Sequence, residues 1–281
     1  MKVLPFKIPK PEQDALIFQI DQGDTFYEKL HQHEEIQISL IVDGSGTLVV
    51  GDSVNDYTKN DVLIIGSHIP HVFKSDNNAS KNFHMLSLFF TRDSFGSFFF
   101  DLEELKELHG FFKRAKHGFK VTSKLKQIKI LFFQLEKETK LDRFLTLLKI
   151  LKLTSKSNYK SLSSFIYDKT YTDNEGQRMR NVFEYTMNNF QKEISLDVIA
   201  NIANMTKNAF CKYFKKRTNK TFVKFLNELR VEYACRLLQS DNDLPVVEIA
   251  DQVGFNNMSN FNRQFKTIKN CNPSEFKKTP Y

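Results

Sequence analysis

The sequence predicts an α+β protein of two domains. An N-terminal antiparallel β-barrel is followed by amphipathic helices, and a C-terminal all-α domain carries two helix-turn-helix motifs joined by one long helix. Three observations lead there. Apolar residues recur at every second position up to about residue 88 and at helical spacing from Asp101 onward. A block of sequence is written twice: Ile199-Ala200 returns as Ile249-Ala250, residues 210–215 return as 261–266, and Asn219, Phe222 and Phe225 return as Asn270, Pro273 and Phe276. An offset held at 50 to 51 residues through three landmarks marks an internal repeat. Charge is also divided unevenly. Residues 178–281 hold 17 Lys and Arg against 10 Asp and Glu, whereas residues 1–177 hold 24 against 23. Nearly all of the net charge of +8 therefore lies on the repeat, which suits a polyanion partner for that half only.

With 281 residues the chain is long enough for two domains. The expected division is 1–100 for the barrel, 101–153 for a helical segment, 154–177 for a linker and 178–281 for the repeat domain. The chain opens on a lead-in bearing Pro5, Pro9 and Pro11, and its first apolar run is too short for a signal peptide. Strands are expected over 17–20, 36–42, 46–50, 61–65, 71–74 and 83–90. Turn residues separate them at 43–46, 51–52, 59–60 and 66–67. Short strands at close spacing argue for an antiparallel barrel or sandwich. From Asp101 the stripe Leu102, Leu105, Leu108 is helical, bounded by Gly110 and Gly118. Ser123 is placed to cap a second helix carrying Ile128, Leu131 and Leu135, and a third follows Lys140 with Leu141, Phe144, Leu148 and Leu151. These stripes pack on the barrel, and the helix pair is a candidate seam for a homodimer. Residues 154–177, rich in Ser, Lys, Asn, Thr and Asp, read as linker. No apolar run reaches the length of a membrane span, so no membrane partner is expected. Cys211, Cys235 and Cys271 form no C-x-x-C and read as reduced thiols of a cytoplasmic protein.

In the repeat, residues 178–190 form a leading helix. Ser195 is then expected to cap the first helix of copy one and Thr206 the second, with Asn204 at the turn. Phe210, Tyr213 and Phe214 fall on the inner face of the second helix, and Asn208, Cys211, Lys212 and Lys215 on the outer one. Copy two has Gly254 at its turn, Phe255 as a plug and Asn257 as the cap. Phe261, Phe265 and Ile268 face in; Met258, Ser259, Asn262, Arg263 and Lys266 face out, with Asn257 beside them. The second helix of such a pair enters the major groove of double-stranded DNA. There Arg pairs with guanine and Asn with adenine, each good bidentate pair discriminating by ~1–3 kcal/mol. Lys215 and Lys266, near helix ends, suit phosphate instead. Any one of these side chains could simply be solvated; the whole set on two equivalent faces is harder to dismiss. Between the copies a helix over 221–239 would span ~28 Å at ~1.5 Å per residue. One duplex turn is ~34 Å, so one chain could set both copies in successive grooves.

Several of these residues also stand in a known pattern. Ser195-Leu196, Ile199-Ala200, Phe214-Lys215, Phe222, Phe225-Leu226, Leu229-Arg230, Leu237-Leu238, Glu248-Ile249-Ala250, Gly254-Phe255, Ser259, Phe261, residues 263–266 and Pro273 resemble the signature of AraC/XylS transcription regulators. Asn219 and Asn270 stand where that family usually has Gly, Asn272 replaces the usual Thr before Pro273, and Phe276-Lys277 replaces Tyr-Arg. Upstream, residues 31–37, 44–48, 60–65 and 69–71 look like the two motifs of the cupin barrel. In metal-binding cupins a His-x-His, a later Glu and a distant His converge. Here the matching positions are His31, His33, Gln37 and His71, with an amide where the carboxylate would be. The resemblance therefore implies that these four line a pocket for a small-molecule effector of unknown identity, with no metal or other cofactor and no catalytic residue expected. It implies a sequence-specific, effector-modulated transcription regulator, an activator by family habit, with promoter DNA, RNA polymerase and a second copy as partners. The alternative is a metal-dependent cupin enzyme fused to a DNA-binding domain, which stoichiometric metal with turnover would mark. Copy two, with Asn262 and Arg263, is expected to discriminate more than copy one, with Cys211 and Lys212.

Overall fold

The structure is a computed structural model that describes residues 14–76, 82–166, 173–240 and 244–278. The Pro-bearing start of the lead-in and the 167–172 part of the expected linker lie outside the described residues. The chain divides into two compact units between Gly176 and Gln177.

Among the described residues of the first unit nine strands are antiparallel throughout: β1 (Ile17–Gly23), β2 (Ile36–Asp43), β3 (Gly46–Val50), β4 (Ser53–Tyr57), β5 (Val62–Ile65), β6 (His71–Ser75), β7 (Phe83–Phe90), β8 (Phe119–Val121) and β9 (Tyr159–Ser161). They form a six-stranded sheet in the order β1-β7-β2-β5-β8-β9 and a three-stranded sheet in the order β4-β3-β6. The predicted barrel is thus open, two facing sheets rather than one closed ring. The short connections turn the chain from one sheet into the other. At the β2–β3 corner Gly44 has φ +103°, and a Cβ there would lie 2.4 Å from the Phe83 ring. That corner needs glycine both for its backbone and for the close approach.

Alternation along each strand sorts side chains into two layers. Val62 and Ile64 of β5 face the helices, with Ile38, Leu40, Leu88, Phe111, Phe119, Ile128, Phe132 and Ile150. Leu63 and Ile65 face the opposite sheet, with Phe26, Leu48, Tyr57, Phe73 and Phe83. The chain has no Trp, and Phe supplies the bulk: Phe26 meets Phe83 edge-on with ring centroids 5.3 Å apart.

Several expectations change here. Residues 99–101 and 103–108 are 3-10 turns rather than an α-helix, and α1 (His109–Ala115) begins where the stripe was expected to end, with Gly110 inside it. Ser123 does not cap α2 (Leu125–Gln134): its hydroxyl accepts from the backbone N–H of Asn158, and Lys124 precedes the helix at φ 60°. Thr139 caps α3 (Lys140–Ser155). Residues 154–166 are not linker but part of the first unit. β9 pairs with β8, the Asn55 side chain donates to the Leu162 carbonyl at 2.9 Å, and the Ser163 hydroxyl and Ser164 N–H donate to the buried Asp52 carboxylate. The polar groups that looked like linker chemistry are bonded internally.

The second unit is helical among its described residues. Its helices are α4 (Asp173–Asn189), α5 (Leu196–Ile202), α6 (Lys207–Thr218), α7 (Phe222–Gln239), α8 (Val246–Gln252), α9 (Met258–Lys269) and α10 (Pro273–Lys277). Ser195, Thr206, Thr221 and Asn257 each accept a backbone N–H at a helix start. A cap of this kind contributes about 1 kcal/mol. Helices α6 and α9 both end on an Asn in the left-handed region, Asn219 at φ 54° and Asn270 at φ 60°. The same backbone therefore stands at both family Gly positions. α7 is the shared spine: its first half packs Phe222 and Phe225 on Phe210 and Phe214, and its second half packs Val231, Ala234 and Leu238 on Phe261 and Phe265.

Candidate nucleic-acid interface and ligand pocket

The two copies of the repeat are built alike, down to one hydrogen bond. The N–H of Met205 reaches the Ala200 carbonyl at 2.9 Å, and the N–H of Phe255 reaches the Ala250 carbonyl at 2.9 Å. These bonds close the turns at Asn204 (φ 52°) and Gly254 (φ +88°). Glycine is required only in copy two. A Cβ on Gly254 would lie 2.8 Å from the Phe190 carbonyl oxygen and 2.7 Å from that of Gln191. Arg230 holds the same segment, donating to the carbonyls of Phe190 (2.7 Å) and Lys192 (2.8 Å) while its guanidinium lies over Phe255. Copy two is therefore docked on the end of α4 by backbone contact.

On α6, Asn208, Cys211, Lys212 and Lys215 are exposed over buried Phe210 and Phe214, with Tyr213 half-buried. On α9, Ser259, Asn262, Arg263 and Lys266 are exposed over buried Phe261 and Phe265. Tyr213, Met258 and Ile268 are less cleanly placed than expected, and Asn257 caps α9 as expected. Met258 is half-buried and packs on the core of copy two rather than standing free, because it opens the first turn of α9 above the plug. Ile268 is only half-buried, near the helix end. Asn257 is exposed, but its side-chain oxygen is engaged by the N–H of Asn260 at 3.0 Å. The reading from sequence also missed Asn260. Its side-chain oxygen accepts from Arg263 Nη2 at 3.0 Å and fixes the guanidinium along the helix face. The three-residue spacing was the available signal. Lys216 and Thr267, also exposed beside the set, were not singled out.

In the first unit His31, His33 and Gln37 line one pocket with Gln19, Asp21, Phe26, Tyr27, Phe73, Met85 and Phe89, whereas His71, expected to line it with them, is fully buried beside His31 and lies outside that lining. His31 and His71 are paired through their backbones, N–H to carbonyl in both directions at 3.0 and 2.8 Å, which brings their ring centroids to 4.2 Å with the planes tilted by 57°. The His33 ring lies 5.0 Å from that of His71. Behind His33, the Gln37 side chain donates to Ser39, and Ser39 bonds Ser87 at 2.8 Å, a buried polar row across β2 and β7. Glu35 reaches His33 from the rear, its carboxylate 3.8 Å from Nδ1. Burial holds His33 below the ordinary imidazole range, and burial together with the two neighbouring imidazoles holds His71 well below it. Burial raises the Asp21 carboxyl across the pocket, partly offset by a 2.6 Å hydrogen bond from Gln19.

Comparison with known proteins assigns both units. Residues 15–153 match the family described as AraC-like ligand binding domain, and residues 199–279 match a helix-turn-helix domain. The chain belongs to the AraC family of transcriptional regulators. An uncharacterised HTH-type transcriptional regulator of Bacillus subtilis (strain 168), YdeC, is 23% identical over 271 residues, covering 92% of this chain and 89% of that protein. The HTH-type transcriptional activator RhaS of Shigella sonnei is 23% identical over 260 residues, covering 88% and 86%. An uncharacterised HTH-type regulator of Pseudoalteromonas carrageenovora is 35% identical over 101 residues, 36% of this chain and 59% of that protein. As an AraC-family member the chain is a DNA-binding transcriptional regulator with a ligand-binding domain, and the relatives lend no support to the fused-enzyme alternative. No helix among the described residues is long and apolar enough to cross a membrane.

Proposed function

We propose that this AraC-family regulator binds promoter DNA through the exposed faces of α6 and α9, and that a small molecule in the histidine-lined pocket modulates that binding. One observation carries the reading. The same chain has a pocket walled by buried polar groups in one unit and two equivalently built helix pairs, with polar and basic outer faces, in the other. On this reading Asn208, Cys211, Lys212, Asn262 and Arg263 meet bases, Ser259 and Asn257 meet the groove wall, and Lys215 and Lys266 meet phosphate. Asn260 orients Arg263. Activation through RNA polymerase accords with the naming of RhaS as an activator. A cytoplasmic homodimer accords with Ile130 and Phe133 on α2 and Leu141 and Leu145 on α3, all exposed apolar side chains.

An effector can act only if it binds the DNA-competent arrangement with a different affinity from the other arrangement. The test is a binding isotherm on the chain's own promoter, with and without small molecules produced or consumed by the neighbouring genes. The expected result is an effector-dependent shift that His33→Ala abolishes while effector-free binding is kept. A promoter affinity indifferent to pocket occupancy would overturn the reading.

A further inference from the structure

We propose that the ligand of this pocket is a small organic cation, a protonated amine whose charge pairs with Asp21 and whose apolar body lies among the Phe side chains. The inference rests on the reading above that the pocket holds an effector. It starts from strand register. Gln19 of β1 lies opposite Ser87 of β7, which lies opposite Ser39 of β2. Asp21, Met85 and Ile41 form the next row on the same face of the sheet. That face is the inner one, where Leu63, Ile65 and Phe83 are apolar core. A carboxylate turned toward such surroundings is unfavourable unless something compensates its charge.

No side chain of the pocket does so. Among the described residues Gln19 is the one hydrogen-bond partner of Asp21, donating to Oδ1 at 2.6 Å, and no Lys or Arg pairs with it. No Lys or Arg lines the pocket either, and burial disfavours the charged form of His33. The walls are aromatic. Phe26, Tyr27, Phe73 and Phe89 stand around the cavity with Met85, Phe26 meeting Phe73 edge-on at 5.9 Å and Phe89 meeting His33 edge-on at 5.6 Å. Aromatic faces attract an organic cation and cover its apolar part. A carboxylate or phosphate ligand would instead meet the like charge of Asp21. A neutral polyol would bond Gln19 and Gln37 but leave the charge of Asp21 uncompensated. The cavity encloses about 430 Å³ including its open mouth, room for one small molecule.

The test uses the full-length chain and three probes of similar size: 2-phenylethylamine, 2-phenylethanol and 3-phenylpropanoate. Binding is read by calorimetry and by the thermal midpoint, neither of which involves DNA. The amine should bind at least ~10-fold more tightly than the alcohol, as a charge-assisted bond to a half-buried carboxylate allows, and the propanoate more weakly than either. Asp21→Asn should bring the amine down to the affinity of the alcohol and leave the alcohol unchanged. Asp21→Glu should keep the preference for the amine. Should Asp21→Asn fail to fold, the order of the three probes on the unaltered chain decides. Absence of amine binding, an alcohol or propanoate bound as tightly as the amine, or amine affinity unchanged in Asp21→Asn would overturn the inference. Amine binding that depends on Asp21, with promoter affinity indifferent to it, would leave the ligand class standing and remove only the regulatory reading. Promoter affinity that answers to an anion through His33 would keep regulation and overturn the ligand class.

Discussion

Arg263 and Lys266 sit on one exposed face of one helix, yet the chemistry of their head groups separates them. The guanidinium is held by Asn260 at 3.0 Å and presents a planar fork. The ammonium of Lys266 lies a turn nearer the helix end. Arg263→Ala should therefore relax base preference, discriminating less by ~1–3 kcal/mol at one base pair, while Lys266→Ala should weaken all sequences about equally. Binding isotherms on matched and mismatched duplexes separate the two effects, and equal losses on every duplex for both variants would refute the division. Gly254 allows a second test at this scale. At φ +88° with two carbonyl oxygens under 3 Å from the missing Cβ, Gly254→Ala should cost well over ~1 kcal/mol in thermal or denaturant unfolding. The matching position in copy one, Asn204, lies at φ 52° and already bears a side chain. Asn204→Ala should be much milder.

Elements were legible in the sequence to the degree that they repeat a period. Most helices of the second unit were, because Phe210, Phe214, Phe261 and Phe265 bury at helical spacing and Ser195, Thr206 and Asn257 cap where capping residues belong, although α4 begins at Asp173, inside the stretch read as linker, and α10 was not foreseen. The three strands β4, β8 and β9 were not. β8 and β9 are three residues each, too short to show alternation, and β4 buries Asn55 alongside Val54 and Tyr57. Residues 154–166 misled by composition, since nothing in a run of Ser and Lys reveals that Asp52, over a hundred positions away, accepts its hydrogen bonds. The pocket was half legible: spacing brought His31, His33 and His71 to notice, but only the fold shows that His71 stays outside the lining and Asp21 enters it. At this scale the proposed seam is also testable. Leu141→Glu with Leu145→Glu, both at exposed positions, should convert a dimer to a monomer in sedimentation or light scattering with little change in unfolding temperature. A wild-type chain that is already monomeric would remove the seam.

For the whole molecule, charge and duplication act together. The net positive charge concentrates in 178–281, so promoter affinity should fall steeply between 50 and 200 mM salt, by roughly 10³-fold if about six phosphates are neutralised. α7 rises about 27 Å over its length, close to one duplex turn of ~34 Å, and it is the spine on which both copies pack. These features make one central claim, that a single chain reads two neighbouring stretches of DNA with unequal sharpness. Selection of binding sites from a random duplex pool by the full chain tests it most directly, without knowledge of effector or operator. The account predicts a bipartite site whose halves are centred about 10 base pairs apart, with the sharper half lost in Arg263→Ala and the weaker half altered in Lys212→Ala. Enrichment of a single undivided motif, or of none, would contradict it.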